Sequence, residues 1–422
     1  MDDFRYLEGR LFCEQVAVED IAREVGTPVY IYSATTLERH FTVFDRAFDG
    51  IPHLVCFAMK ANSNQSVIKI FARLGGGADV VSGGELYRAL VAGIPAERIV
   101  YAGVGKTRQE IEYALKAGIL MFNIESTEEL AAINEAAGEL GVKAPIAIRI
   151  NPDVDARTHP YISTGLKKNK FGVAIEDAFD EYLAAAKLPN IKVIGIHQHI
   201  GSQLTELSPF VDSIKKTVAL VKRLKAEGLD IRYIDVGGGL GIKYLHENPP
   251  HPDELAMAIR PALTDAGCEL IFEPGRVIVG NSGALVTKVL YRKSTEVKNF
   301  VICDAGMNDL VRPTLYQAYH EIRPVEIRPD SEEYTADLVG PICETGDFLA
   351  KDRRMAIPEQ GDMLALMSAG AYGFTMSSNY NSRPRAAEVM VKGDGYFVVR
   401  ERETYEDLLK GEKIPDFLTG KG

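Results

Sequence analysis

Five short stretches carry side chains that could do chemistry together. Lys60 lies in Phe57-Ala58-Met59-Lys60-Ala61-Asn62, directly after the apolar run Leu54-Val55-Cys56. A lysine at a strand end is usually solvated, because lysines are rarely buried. Held in an apolar pocket with its pKa lowered, the same amine can form a Schiff base with a carbonyl. Asp79 and Ser82-Gly83-Gly84-Glu85 close a second apolar run. His197-Gln198-His199-Ile200-Gly201-Ser202, Gly237-Gly238-Gly239-Leu240-Gly241 and Glu273-Pro274-Gly275-Arg276 close three more. The flat ring of His199 can stack on a planar ligand, or it can be a satisfied core histidine. Glu273 can pair with Arg276, or it can keep a ring nitrogen protonated. The triple glycine can be a plain turn, or it can let backbone N–H groups face an anion. It does not have dinucleotide spacing, since Ile242 stands where the last glycine should fall.

An amine, a stacking ring, a carboxylate for a ring nitrogen and an anion loop together describe a site for pyridoxal phosphate. A cationic ring nitrogen is what makes a pyridine an electron sink. His197 and His199 lack a nearby third ligand of a usual pattern, so no metal is expected. The second half adds candidates. Arg312-Pro313-Thr314-Leu315-Tyr316 supplies a guanidinium and a phenol. Arginine forks bind carboxylates through two bonds, although Arg312 alone could be a surface ion pair. Cys343-Glu344-Thr345-Gly346-Asp347 places a thiol in a polar turn, suited to proton transfer. Glu344 beside it can bind a cationic amine. Ala369-Gly370-Ala371-Tyr372-Gly373 sets one phenol among small residues, which suits close approach by a ligand.

These residues need a scaffold that gathers strand ends. Apolar runs occur at 54–58, 78–81, 99–102, 120–124, 146–150, 193–197, 233–236 and 270–272, separated by helical patterns. Continuous apolar runs suit strands buried on both faces. Eight such units over about 230 residues predict an α/β fold, a (β/α)8 TIM barrel, whose active site lies at the strand C-termini. A doubly wound open sheet is the competing reading. Val29–Tyr32 reads as a strand, with Ser33 capping a helix over 34–48. After Gly283 the runs become short, β-branched and punctuated by turns, which predicts an antiparallel β domain. The expected division is a pyridoxal-phosphate-binding barrel over 26–282. Residues 1–25 and 283–422 would form the second domain, a β-sandwich or β-barrel-like unit.

The totals set outer limits. The chain has 422 residues, 46% of them hydrophobic and 25% charged, as in an ordinary globular protein. Its net charge of -11 argues against nucleic acid or anionic membrane as the main partner. No apolar run is long enough to span a bilayer, and Met1-Asp2-Asp3-Phe4-Arg5-Tyr6 does not resemble a secretory signal. Cysteines 13, 56, 268, 303 and 343 have no CxxC spacing. A cytoplasmic protein without a disulfide framework is expected.

The motifs, in this order, resemble the alanine-racemase-like, fold-type III pyridoxal phosphate decarboxylases. Thr158-His159-Pro160-Tyr161-Ile162-Ser163-Thr164-Gly165 and Lys170-Phe171-Gly172 add to the likeness, which runs over almost the whole chain. One departure is mild: threonine stands within Cys-Glu-Thr-Gly-Asp where serine is more usual. The resemblance implies that Lys60 carries the cofactor covalently, His199 stacks on its ring and Glu273 faces its ring nitrogen. Asp79 would belong to the same cofactor site. Ser202, Gly239 and the Gly275-Arg276 backbone would hold the phosphate, helped by Tyr372. Arg276, Arg312 and Tyr316 would bind the far carboxylate of an amino-acid substrate, with Tyr372 nearby, and Glu344 would read the distal amine. Cys343 would return a proton after carbon dioxide leaves. In the family Cys343 and Glu344 come from the partner subunit, which implies a homodimer with shared sites. Three alternatives stand beside this reading: a relative acting on ornithine, arginine or carboxynorspermidine, a racemase on the same barrel, and a cofactor-binding protein without catalysis.

Overall fold

The computed structural model describes residues 2–154, 170–263 and 266–419. It separates into two compact units. The first comprises Ala34–Ser282 and Gly370–Thr375. The second comprises Asp3–Ser33, Gly283–Ala369 and the chain from Met376 onward.

The first unit is built on eight strands. They are β1 (His53–Ala58), β2 (Gly77–Val80), β3 (Ile99–Tyr101), β4 (Met121–Ile124), β5 (Ala144–Asn151), β6 (Ile191–Gln198), β7 (Tyr233–Gly237) and β8 (Glu269–Phe272). Each pairs in parallel with the next, and β8 pairs with β1, so the ring closes. This is the expected (β/α)8 barrel, and the open sheet is excluded by the β8–β1 pairing. Leu54, Cys56, Val100, Met121, Ala147, Ile194 and Ile271 form a buried apolar cluster drawn from six of the eight strands. Helices follow the strands, and their starts are fixed by side chains. Asn64, Ser82, Thr107 and Ser126 each accept a first-turn backbone N–H. Gly93, Gly118 and Gly141 then end three of these helices in the left-handed conformation. The loops that leave β1 to β4 are therefore short and firmly placed.

The second unit is a mainly antiparallel β structure. Its long strand Gly283–Ser294 pairs antiparallel with Val29–Ser33, Asn299–Cys303 and Met363–Leu366. The strand read at Val29–Tyr32, observed as Val29–Ser33, was expected to open the barrel domain. It joins this sheet instead, between Gly283–Ser294 and Ala387–Lys392. The reason is burial on both faces: all five of its residues are buried. Phe4, Leu11, Ile21, Ile31, Val286 and Val389 share one core. Strand Phe348–Ala356 was not anticipated, because its charged Lys351-Asp352-Arg353-Arg354 centre hides the alternation.

Candidate active site

β1 ends at Ala58, and one tight turn, Met59–Ala61, lifts Lys60 off the strand. The segment Gly370–Thr375 clamps that turn. Tyr372 N–H donates to the Ala61 carbonyl at 2.8 Å, Asn62 Nδ2 donates to the Gly370 carbonyl at 3.1 Å, and Thr375 Oγ1 donates to the Lys60 carbonyl at 3.2 Å. Lys60 Nζ lies 2.5 Å from Asp79 Oδ2 at the end of β2. Asp79 is fully buried, while 36% of the Lys60 side chain remains open to solvent. The expected lowering of the Lys60 pKa is corrected here. Burial does pull the ammonium down, but Asp79, aided by Glu273 and Tyr372, outweighs it and raises the pKa. Burial and Glu273 push Asp79 up as well. With both partners shifted upward, the pair as a unit retains one proton. Asp79 Oδ1 is buried and without a hydrogen-bond partner among the described residues.

A buried polar floor underlies this mouth. Glu273 follows β8, and its Oε2 lies 3.6 Å from His197 Nε2 on β6. Asn123 of β4 donates through Nδ2 to Glu273 Oε1 at 3.2 Å and to Asp235 Oδ2 of β7 at 2.8 Å. Burial works against a charge on Glu273. His197 and then Lys60 outweigh it and hold the carboxyl well below its ordinary range. Burial and the Glu273 charge push Asp235 well above that range. Asp235 is therefore the acid that keeps its proton, and Glu273 the one that stays ionised. The expectation that His197 has no third ligand nearby is also corrected. His197, Asp235 and Glu273 each offer an atom within 4.8 Å of the others, a spacing that suits a metal ion and equally suits hydrogen bonding.

His199 sits half-buried beyond the end of β6. Its Nδ1 accepts the Gly238 N–H at 3.1 Å, so Nε2 carries the proton of the neutral ring. Burial, with Arg149 and Lys60 nearby, keeps its pKa well below the usual value. Arg149 fixes the backbone here. It donates to the His199 carbonyl at 3.3 Å and to Glu125 Oε1 at 2.8 Å. The triple glycine is not a slack turn. A Cβ on Gly237 would lie 2.5 Å from the Gln198 carbonyl oxygen, one on Gly238 2.2 Å from that of Glu273, and one on Gly239 2.6 Å from that of Gly201. Gly237 and Gly239 also need positive φ, at 71° and 118°. Gly238→Ala should therefore cost about 3 kcal/mol, the upper end of the usual cost of overpacking, since backbone cannot yield as a side chain does. Denaturant unfolding checks this, and an unchanged midpoint would show that the strand ends can separate freely.

Arg276 lies against three further groups. It donates through Nη1 to Tyr244 Oη at 2.7 Å and through Nη2 to Ser202 Oγ at 3.2 Å. Its guanidinium lies 4.9 Å from the Tyr372 ring centroid. Gly275, just before it, packs a virtual Cβ 3.1 Å from Ala61 and 3.2 Å from Ala58. Lys60, Asp79, His199, Ser202, Gly239, Glu273, Gly275, Arg276 and Tyr372 thus all belong to the first unit. Sequence reasoning missed Asn123, Arg149, Asp235 and Tyr244. The first three share a signal, a polar residue inside an otherwise apolar strand.

Glu85 adds a titration near neutrality. Burial is the main cause that pushes its carboxyl up to about 7, against the Val81 N–H that it accepts at 2.8 Å. Between the ordinary value of 4.5 and about 7, the folded chain holds a proton there that the unfolded chain lacks. The stability from this group is present below 4.5 and is lost as pH rises through 7. Glu85→Gln should flatten that decline in a series of melts from pH 5 to 8. An equally steep decline in the variant would remove Glu85 as its source.

The remaining candidates lie in the second unit. Arg312 begins the short helix Arg312–Tyr316 and is buried, whereas Tyr316 is half-buried. Cys343 and Glu344 are exposed on a loop. Asp347 fixes that loop by accepting the Ile342 and Met307 N–H groups at 2.7 and 2.6 Å, and Asn381 accepts the Cys343 N–H at 2.8 Å. Cys343 is the exposed thiol. Cys13, Cys56 and Cys303 are buried and Cys268 is half-buried. The stretch Thr158–Gly165 lies outside the described residues.

The barrel mouth fits pyridoxal phosphate. It offers an amine, an ionised buried carboxylate, a neutral imidazole ring, and backbone kept bare of Cβ atoms at Gly237–Gly239. A family profile described as "Pyridoxal-dependent decarboxylase, pyridoxal binding domain" matches residues 34–280. The chain is 55% identical over 415 residues to a diaminopimelate decarboxylase of Pseudomonas fluorescens, covering 98% of this chain and 99% of that one. It is 56% identical over 416 residues to one of Vibrio cholerae, covering 98% and 99%. Among solved structures it resembles the diaminopimelate decarboxylase of Helicobacter pylori complexed with L-lysine. The TM-score is 0.90 at 47% identity, covering 93% of this chain and 98% of that one.

Proposed function

Because the chain belongs to the diaminopimelate decarboxylase family of pyridoxal-dependent decarboxylases, we infer that it releases carbon dioxide from meso-2,6-diaminopimelate and leaves L-lysine. The protein is a carboxy-lyase of lysine biosynthesis. The observation that carries its chemistry is the meeting of Lys60, Asp79, His199 and Glu273 at one barrel mouth. When bound, pyridoxal 5'-phosphate supplies the electron sink for the pair left behind by carbon dioxide.

Lys60 would hold the cofactor through its amine, and Asp79 Oδ2, 2.5 Å away, is placed to hold the proton that Nζ gives up. Glu273, held ionised, would face the cofactor's ring nitrogen, and Asn123, which donates to both Glu273 and Asp235, keeps it aimed. His199 would stack on the cofactor's ring. Ser202, Gly239 and the Gly275-Arg276 backbone would hold the phosphate, with Tyr372. Arg276, Arg312, Tyr316 and Tyr372 hold the carboxylate that is retained in the product, and Glu344 holds the distal amine. Cys343 Sγ delivers a proton to the carbon that has lost its carboxylate.

Cys343 and Glu344 act in the site of a second copy of the chain, so the working form is a homodimer. Their exposure on an anchored loop supports this reading. We place the reaction in the cytoplasm, in keeping with the five free thiols. No helix among the described residues is long and apolar enough to cross a membrane.

Specificity separates this reading from decarboxylation of ornithine, arginine or carboxynorspermidine. A site built to bind a distal carboxylate rejects substrates without one. Purified protein with pyridoxal phosphate should favour meso-diaminopimelate over ornithine by at least about 10^2-fold in kcat/KM. Equal or reversed values would reject the assignment.

A further inference from the structure

A polar layer crosses the barrel beneath its mouth. Asp79 lies in β2, Asn123 in β4 and His197 in β6, and Glu273 follows β8. These are alternate strands, the pattern by which a layer of four side chains fills a barrel of this kind. The side chains point inward. Asn123 reaches both Asp235 and Glu273. Gln198, the residue after His197, points the other way, to Ser213 and Thr217 on the helix Ser208–Ala226.

His197 is the member of this layer that the family roles do not explain. It is 1% exposed, and neither ring nitrogen has a hydrogen-bond partner among the described residues. A buried imidazole without partners carries a cost that an apolar side chain would avoid. Its Nε2 lies 3.6 Å from Glu273 Oε2, and a small turn of the ring closes that gap to a charge-assisted hydrogen bond. Asn123 already holds the other oxygen, Oε1, at 3.2 Å. An ionised carboxylate only accepts, so the hydrogen of that contact belongs on His197 Nε2.

We propose that His197 is a positioning residue for the cofactor's ring: through Glu273, it keeps the proton shared by that carboxylate and the ring nitrogen on the nitrogen. The proposal rests on the reading of Glu273 given above. A carboxylate beside a pyridinium and a carboxylic acid beside a neutral pyridine hold the same proton and differ only in its place. Burial favours the neutral pair, and donors on the carboxylate oxygens favour the charged one. Asn123 supplies a donor to one oxygen and His197 to the other. Lys60 adds to the same field from its place against Asp79. Asp235 keeps its own proton and so adds no opposing charge. Without His197 the shared proton moves toward Glu273, and the ring loses the cationic nitrogen that makes it an electron sink.

The place of the proton can be read directly. Holoenzyme is loaded with pyridoxal phosphate carrying an NMR-active nitrogen isotope in its ring, whose shift separates protonated from neutral pyridine. His197→Leu should move that resonance toward the neutral position and lower kcat about tenfold, within what a hydrogen bond to a charged group contributes. His197→Asn, whose amide stands where Nδ1 stands and cannot reach Glu273, should do the same, and it covers the case in which the leucine variant fails to fold. His197→Gln, whose amide can reach Glu273, should keep the resonance near the parental position. In the Glu273→Gln background, His197→Leu should move it no further.

If Glu273→Gln moves the resonance and neither His197→Leu nor His197→Asn does, the positioning role alone falls, even where turnover drops. It falls equally if His197→Gln shifts the resonance as far as leucine, or if His197→Leu still shifts it in the Glu273→Gln background. If Glu273→Gln itself leaves the resonance at the parental position, the reading of Glu273 falls, and the proposal with it.

Discussion

Lys60→Arg is expected to abolish turnover, by more than about 10^3-fold, while the protein folds and melts much as before. Arginine keeps a cation beside Asp79, so the buried carboxylate is not left alone. The distinction matters because the ion pair is close and Asp79 is wholly buried. Lys60→Ala would confound two losses. It would remove the nucleophile, and it would also strip the countercharge from Asp79 and weaken the field that keeps Glu273 ionised. An uncompensated buried carboxylate costs about 3–5 kcal/mol or takes up a proton instead. Arginine separates the two effects, since its guanidinium does not lose a proton and does not form the covalent link. Steady-state turnover, visible absorbance and a thermal melt on the same sample measure all three quantities. Turnover within tenfold of the parent would show that no covalent amine is needed at this position.

Cys343→Ala is expected to leave the cofactor's visible absorbance intact and to lower kcat by about 10^2-fold or more, the scale of a lost general acid. The thiol is exposed on a loop held by Asp347 and Asn381, so its removal should not disturb the barrel. The same variant tests whether sites are shared. Lys60→Ala and Cys343→Ala homodimers should each show little activity. Mixed dimers formed from them would hold one intact site in two if Cys343 reaches across. With random exchange half the dimers are mixed, so about a quarter of the parental activity should return. No recovery after proven exchange would mean that each chain completes its own site. Unchanged kcat in Cys343→Ala would assign the proton to another group.

Much of this architecture was legible in the residues. All eight barrel strands could be read because strands buried on both faces are written as unbroken apolar runs. The strand ends then pointed to Lys60, Asp79, His199, Glu273 and Arg276 without any knowledge of the fold's interior. What could not be read depends on register. Asn123, Asp235 and His197 lie within or at the end of apolar strands, and only the pairing of β4, β6, β7 and β8 brings them to Glu273. The Val29–Tyr32 strand could likewise be read but not its sheet, because an apolar run states that a strand is buried and not what buries it. The charge state of Lys60 was misjudged for a related reason. Desolvation can be guessed from apolar neighbours, but the opposing carboxylate comes from the next strand over. The glycine run was read as a loop feature, and its cause is backbone contact with β6 and β8.

The account depends on one covalent attachment at the end of β1. Reducing the active holoenzyme with borohydride, digesting it and mapping the phosphopyridoxyl label by mass spectrometry tests this directly. The account expects loss of activity in step with labelling, and the label on Lys60 alone. Full activity with Lys60 unlabelled, or a label on another lysine in active protein, would contradict it.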